Sequence, residues 1–389
     1  MRICFNSFSC RFIFFDLCKF SMFYIFCFLF CFIFIVFFEN NNYSVNKKFI
    51  YVLPFIFLAF LAGGRSTNIG TDIRYYAQSV WDQNLSYIDI NDFINNYVLE
   101  FCYEFTAFIV SRLTSDIHWF FFASHIIIIL FLACGLYLYS KYLKISYAVC
   151  FALYCLSTFN YSLNIIRQSF AVSIIFFFSY FLINKKYVLF FLGCCIATSF
   201  HSSGIAGFGI GGVYIFYSQK KGNFAFLRNF IIIAMIIMLF FQMHNYIKLF
   251  VDLGVIPTRF IVNESDYQTQ TSSFVYAFLE LPFAITSILT LLFHRNNTSF
   301  EIFLYFPIFS FVLALVNMNY GFAHRFLYYF QIFNIILIPY CVSNLFKNTL
   351  QKICVNLIFI LYFGVKWYYS VIIVNAGETY PYEWNWIIF

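Results

Sequence analysis

About twelve apolar stretches, parted by short breaks that alternate between lysine-rich and acid-bearing, leave this chain little choice of fold. A backbone inside hydrocarbon must satisfy its own N–H and C=O groups, which a helix does without neighbours. One crossing takes about 20 residues. Windows of that kind lie near Met22–Phe38, Phe49–Gly63, His118–Tyr139, Ser146–Asn160, Ser169–Ile183, Tyr187–His201, Ser203–Tyr217, Leu227–Met243, Phe274–Phe293, Phe300–Asn317, Phe326–Phe346 and Ile353–Val374. Only 10% of residues are charged and 63% are hydrophobic, whereas soluble domains carry about 25% charged residues. The reading is all-α: a polytopic transmembrane helix bundle of about 12 spans (roughly 11–13), with residues 1–389 forming a single integral membrane domain. The 62 Phe and 31 Tyr need no special chemistry, because a coding bias that writes Phe wherever an apolar residue will do is a sufficient cause.

Lysine marks cytoplasmic loops. Lys47-Lys48, Lys141 with Lys144, Lys185-Lys186, Lys220-Lys221 and Lys347 with Lys352 fall on one side, together with Arg228 and Arg295. The alternate breaks are then external: 64–117, 161–168, the turn at His201–Gly204, 244–273, 318–325 and the tail from Asn375. Twelve of the 16 acids lie in these external segments. The net charge of +7 is thus explained by topology, and nucleic acid is not an expected partner. The N-terminus fits less well, since Arg2, Arg11 and Lys19 would sit outside. Either the first 21 residues lie on the surface or synthesis starts at Met22. No small-residue cleavage site suggests a removed signal peptide. The 13 cysteines match no zinc spacing and read as small buried hydrophobes. No cofactor or metal is expected.

Two places depart from simple spans. Segment 64–117 is an external loop in which Tyr97–Leu113, apolar but holding Glu100, Glu104 and Arg112, reads as an interfacial helix. A true span there is the alternative. The stretch 187–217 would measure about 46 Å as one helix, too long for one crossing and too short for two at about 30 Å each. It reads as a short hairpin with a recessed turn at His201, the kind of broken element that builds sites inside membranes. The second external loop is 244–273.

Four polar clusters then share the external side: Gly70-Thr71-Asp72, Asn164–Gln168, His201-Ser202-Ser203 and His324-Arg325. A charge at a helix centre costs roughly 2.5–3.5 kcal/mol on insertion scales, so such groups are retained for binding or reaction. Arg167 either snorkels at an interface or clamps an anion with its planar fork. Arg325, beside His324, poses the same choice, and Gln168 adds a neutral donor and acceptor. Two arginines from distant segments suit a diphosphate. Asp72, with Arg65 and Arg74 near it in sequence, is either an ordinary turn residue paired to an arginine or a carboxylate that accepts sugar hydroxyls or a proton. Glu100 and Glu104, one turn apart, read as facing the same way; either is a candidate base or a solvated face. His201 is a satisfied core histidine or an acid–base group. Glu280 is an intramembrane acid next to Leu281-Pro282, functional by default or a capped core residue. Tyr75, Tyr76, Trp81 and Tyr320 are candidates for stacking on sugars. No P-loop, nucleophile elbow or His-Glu-x-x-His is present.

At these residues the chain resembles the EpsG-like branch of the Wzy-type polysaccharide (O-antigen) polymerases. The likeness rests on Gly70-Thr71-Asp72 followed by Tyr75 and Tyr76, Glu100 opening an aromatic segment, Asn164–Gln168 followed by Ala171, Phe200-His201-Ser202-Ser203, Arg325 before Tyr328-Tyr329-Phe330, and Tyr380-Pro381-Tyr382. It runs in order from about Phe49 to the C-terminus. One departure is Phe101-Cys102, where relatives often carry Pro-Gly. The resemblance implies a GT-C-like, metal-independent membrane glycosyltransferase of the bacterial inner membrane. It would move a growing glycan from undecaprenyl pyrophosphate to a new lipid-linked repeat at the external face, with a chain-length regulator as a candidate partner beside the lipid bilayer. On that footing Arg167 and Arg325 hold the diphosphate, with Asn164, Gln168, His324, Arg65 and Tyr76 as further substrate contacts, and His201, Asp72 or Glu100 activates the acceptor hydroxyl. The competing readings are a flippase or other transporter of lipid-linked glycans, and an O-antigen ligase or membrane acyltransferase.

Overall fold

The computed structural model describes residues 7–40, 47–218, 243–253, 273–293, 300–316 and 323–386. The expected window Leu227–Met243, most of the loop 244–273, and Tyr320 lie largely or wholly outside them. Every named element is helical, and the one pairing of extended backbone among the described residues is an isolated bridge between Arg65 and Trp384.

Five helices among the described residues are long and apolar enough to cross a bilayer: Ile117–Leu143, Ile166–Ile183, Phe274–Phe293, Arg325–Leu345 and Thr349–Ile373. Shorter apolar helices accompany them, including Phe101–Ser111 and Tyr187–Phe200. The helical class stands, and the described residues do not establish a count of about twelve crossings. One of the expected windows folds as an interrupted helix. The window at 146–160 becomes α7 (Tyr147–Tyr154), a π-turn (Cys155–Phe159) and α8 (Asn160–Asn164). There Ser157 Oγ and Thr158 Oγ1 donate to the carbonyls of Leu153 and Tyr154 at 2.6 and 3.3 Å, loosening the regular ladder. The N-terminal stretch is continuous helix, α1 (Ser7–Asn40), rather than a separate surface segment followed by a span.

Chain direction sorts the ends of the bundle. Helix α2 (Lys47–Gly64) starts at a lysine pair and ends at the Gly70-Thr71-Asp72 loop. Helix α6 (Ile117–Leu143) starts after segment 64–117 and ends at Lys144, whose left-handed φ of 55° closes it. Helix α9 (Ile166–Ile183) runs from the Arg167 cluster to Lys185-Lys186, and α10 (Tyr187–Phe200) returns to His201. At the lysine end Glu39 accepts from Ser146 Oγ, Tyr147 N and Ala148 N at 3.0–3.2 Å, so a carboxylate caps the N-terminus of α7. All four polar clusters fall at the opposite end.

Segment 64–117 forms three short helices, α3 (Gln78–Ser86), α4 (Ile90–Asn96) and α5 (Phe101–Ser111), after a π-turn at Ile73–Ala77. Phe93, Phe101, Phe105 and Phe108 stack into a small aromatic core of their own. The stretch 187–217 is a hairpin of α10 and α11 (Ala206–Ser218) joined by a 3₁₀ turn at Ser202–Ile205. Its arms of 14 and 13 residues are about 20 Å long. Gly204 allows the tight turn: a Cβ there would sit 2.7 Å from the Ala197 carbonyl carbon.

Candidate active site

The loop carrying Asp72 is set by Asn164. Thr71 Oγ1 donates to Asn164 Oδ1 at 2.9 Å, and Asp72 N donates to the same oxygen at 3.1 Å. Two glycines make room. Gly70 (φ 95°) presses on the Leu163 carbonyl, and Gly377 (φ 75°) presses on the Asn164 side chain, where a Cβ would lie 2.5 Å from Nδ2. Gly70 N donates to the Glu378 carbonyl at 3.1 Å, Ser66 N to Glu383 O at 2.8 Å, and Asn385 N to Gly64 O at 2.9 Å. Arg74 pairs with the Glu378 carboxylate. Residues 375–386 therefore clasp the loop from the far end of the sequence.

Beyond Asn164 a single non-helical residue, Ile165, turns the chain into α9. Arg167, in the first turn, donates from Nη1 to Glu100 Oε2 at 2.9 Å. Its guanidinium lies 4.3 Å from the Tyr76 ring centroid and 6.0 Å from that of Tyr103. Glu100 Oε1 accepts from Ser202 N at 3.1 Å. One carboxylate thus ties the Arg167 cluster to the His201 turn. Gln168 Nε2 donates to the Arg325 carbonyl, bringing the fourth cluster alongside. His324 shares the first turn of that helix, α15 (Ala323–Gln331), which follows α12 (Met243–Asp252), α13 (Ser273–Phe293) and α14 (Phe306–Val316) in chain order.

The three acid–base candidates differ in their surroundings. Burial would lift the Glu100 carboxyl, but Arg167, His201 and the Ser202 amide together hold it below the usual range. Each of its oxygens already accepts a hydrogen bond. Asp72 goes the other way: burial raises its pKa, against the lowering influence of Arg167 and Arg325. Nothing among the described residues donates a hydrogen bond to its carboxylate. His201 is pushed down to about 4 by burial, helped by Arg167 and Arg325 and opposed by Glu100. Its Nδ1 meets Ser203 Oγ at 2.6 Å, and Ser203 Oγ meets the Tyr329 hydroxyl at 2.8 Å. Phe170 and Phe200, stacked with centroids 4.4 Å apart, floor this corner where α9 and α10 meet.

Asp72, Glu100, Asn164, Arg167, Gln168, His201, Arg325 and Tyr76 are therefore neighbours. Others of the expected groups are elsewhere. Arg65 has no solvent exposure: its backbone pairs with Trp384 and its guanidinium lies over the Phe121 ring at 4.7 Å. It supports the loop from beneath. Trp81 is buried and stacked on Phe120 at 5.7 Å, so it offers no sugar platform, whereas Tyr75 and Tyr76 are exposed. Glu104 does not accompany Glu100. Glu100 is the non-helical residue before α5, and Glu104 turns back to accept from Val98 N and Leu99 N. Asp72 pairs with neither Arg65 nor Arg74. Glu280 on α13 pairs with Lys366 and accepts from Gln331 Nε2 at 2.8 Å, a buried ion pair between spans. Sequence reasoning missed Lys366, the hydrogen bond between Ser203 and Tyr329, and the Gly377-Glu378 clasp. The motif Tyr328-Tyr329-Phe330 was visible, but nothing in it said which of its two buried tyrosines reaches Ser203.

The model of the EpsG family matches residues 48–384. No curated protein and no solved structure matches the chain.

Proposed function

Because the chain belongs to the EpsG family, we propose that it polymerises surface polysaccharide, transferring a glycan from a polyprenyl diphosphate to the sugar of a second lipid-linked repeat at the outer face of a bacterial inner membrane. The observation that carries this reading is the meeting of two arginines, a raised carboxyl and a buried histidine from segments that lie far apart in the sequence. A diphosphate carries charge at a bilayer surface, and more charge builds on it as the glycosidic bond breaks. Fixed guanidinium groups stabilise that change without reorganising. Arg167 is already oriented before any substrate arrives, since Glu100 fixes one face of its fork and Tyr76 covers the plane.

In the reaction, the acceptor hydroxyl oxygen bonds to the anomeric carbon. The bond from that carbon to the diphosphate oxygen breaks, and its electron pair leaves with the diphosphate. The hydroxyl proton goes to Asp72, the carboxylate with no internal donor among the described residues and a raised pKa. Glu100 is too well paired to take it. Exposed Tyr75 and Tyr76 offer ring faces to sugars.

The test is deletion of the gene with gel analysis of surface polysaccharide, complemented by wild type or Asp72→Asn. Single-repeat caps in place of a ladder, restored by wild type and not by Asp72→Asn, support the reading. Loss of all exported repeats would point instead to a flippase, and full ladders from Asp72→Asn would remove Asp72 from the mechanism.

A further inference from the structure

The His201 ring is held by a donor that cannot change its role. The Ser203 backbone N–H donates to His201 Nδ1 at 3.2 Å. A backbone amide has a proton and no available lone pair, so Nδ1 must present its own. The Ser203 hydroxyl, 2.6 Å from the same nitrogen, then donates to it as well, and the Tyr329 hydroxyl, 2.8 Å further on, donates to Ser203 Oγ. A neutral imidazole with its lone pair on Nδ1 carries its proton on Nε2. Nothing among the described residues hydrogen-bonds to Nε2, and the charges of Glu100, Arg167 and Arg325 all reach the ring. We infer that His201 works as a hydrogen-bond donor through Nε2–H, directed at a phosphate oxygen of the bound diphosphate, and that Ser203 and Tyr329 are positioning residues that fix its tautomer.

This rests on the polymerase reading, and it parts from the expectation that a site histidine removes the acceptor's proton. A base needs an open lone pair facing the substrate. Here the lone pair faces the 3₁₀ turn at Ser202–Ile205, where it accepts from the Ser203 amide. In a site that already holds Arg167 and Arg325, a neutral Nε2–H adds a donor without adding a third cation. It leaves proton removal to Asp72.

Three variants of the full-length protein in detergent decide it. Gln places an amide N–H near the position of imidazole Nε2, whereas Asn mimics Nδ1. His201→Gln should keep transfer within about tenfold of wild type, and His201→Asn should lose about a hundredfold, corresponding to about 2.7 kcal/mol. Binding of farnesyl diphosphate, a soluble polyprenyl diphosphate, should follow the same order without any transfer taking place. Equal loss in both variants, equal retention in both, or retention only in Asn would overturn the assignment. Ser203→Ala gives an answer independent of the histidine variants. It removes the hydroxyl and keeps the amide, so it should lose less than about tenfold with the loss in kcat; a loss as deep as that of His201→Asn would mean that protons travel through Ser203. Failure of wild type to extend lipid-linked repeats, with diphosphate binding intact, would count against the polymerase and leave the donor role standing.

Discussion

Asn164 is the hinge pin of the Asp72 loop, and removing its side chain should open that loop by a predictable amount. Asn164→Ala deletes two hydrogen bonds, from Thr71 Oγ1 and Asp72 N, at 2.9 and 3.1 Å. At a net value near 1 kcal/mol each, the closed loop loses about 2 kcal/mol. With 1.4 kcal/mol per decade, the open population rises about thirtyfold. Arg74, two residues past Asp72, is exposed, so trypsin reports the opening by cutting after it. When opening and closing are fast relative to cutting, the rate follows the open population. Thr71→Val deletes one of the two bonds and should speed cleavage about fivefold in wild type. In the Asn164→Ala background it should do almost nothing, because its acceptor is gone. Equal acceleration by Thr71→Val in both backgrounds, or an Asn164→Ala protein cut no faster than wild type, would refute the reasoning.

Arg167→Lys keeps the charge but loses the planar fork toward Glu100 and the stacking on Tyr76; polymer formation should fall at least about tenfold while the purified protein melts as wild type does. Glu280→Gln leaves Lys366 buried without its anion, which should destabilise the bundle by about 3–5 kcal/mol, and Lys366→Met in the same chain should recover most of it; thermal melts in detergent measure both. If Asp72 takes the proton, transfer falls as acid protonates it, and Arg325→Gln, by removing a charge that lowers its pKa, should move that acid limb to higher pH. His201 binds its proton less readily when folded than when unfolded. The stability this gives is full above the unfolded histidine value and is lost as pH falls toward about 4. His201→Gln should flatten the melting temperature over that range.

Element type was legible in the residues because hydropathy period and length decide it. The hairpin at 187–217 followed from length against bilayer thickness, and lysine placement alone put the four clusters at one end. What was not legible depended on single dihedral angles. Glu100 and Glu104 would share a face only if both were helical; Glu100, at ψ 131°, is not, so one carboxylate meets Arg167 and the other its own loop. Asp72 has an arginine two residues away, yet Arg74 leans to Glu378 and leaves Asp72 to Arg167 and Arg325. Arg65 and Trp81 illustrate the converse: polar or aromatic character near a motif does not say whether a side chain faces in or out. Partners hundreds of residues apart, such as Gly377 with Asn164, leave no mark in any local pattern.

The clasp on the Asp72 loop also has a bearing on biosynthesis. Arg74 and Glu378 stand 304 positions apart. At roughly 5–20 residues per second, the ribosome needs about 15–60 s to travel from one to the other. Until it does, Gly70 has no carbonyl from Glu378 to hold, and Asn164 alone fixes the Asp72 loop. The loop that carries the proposed site therefore gains its last support only after residue 378 has been made.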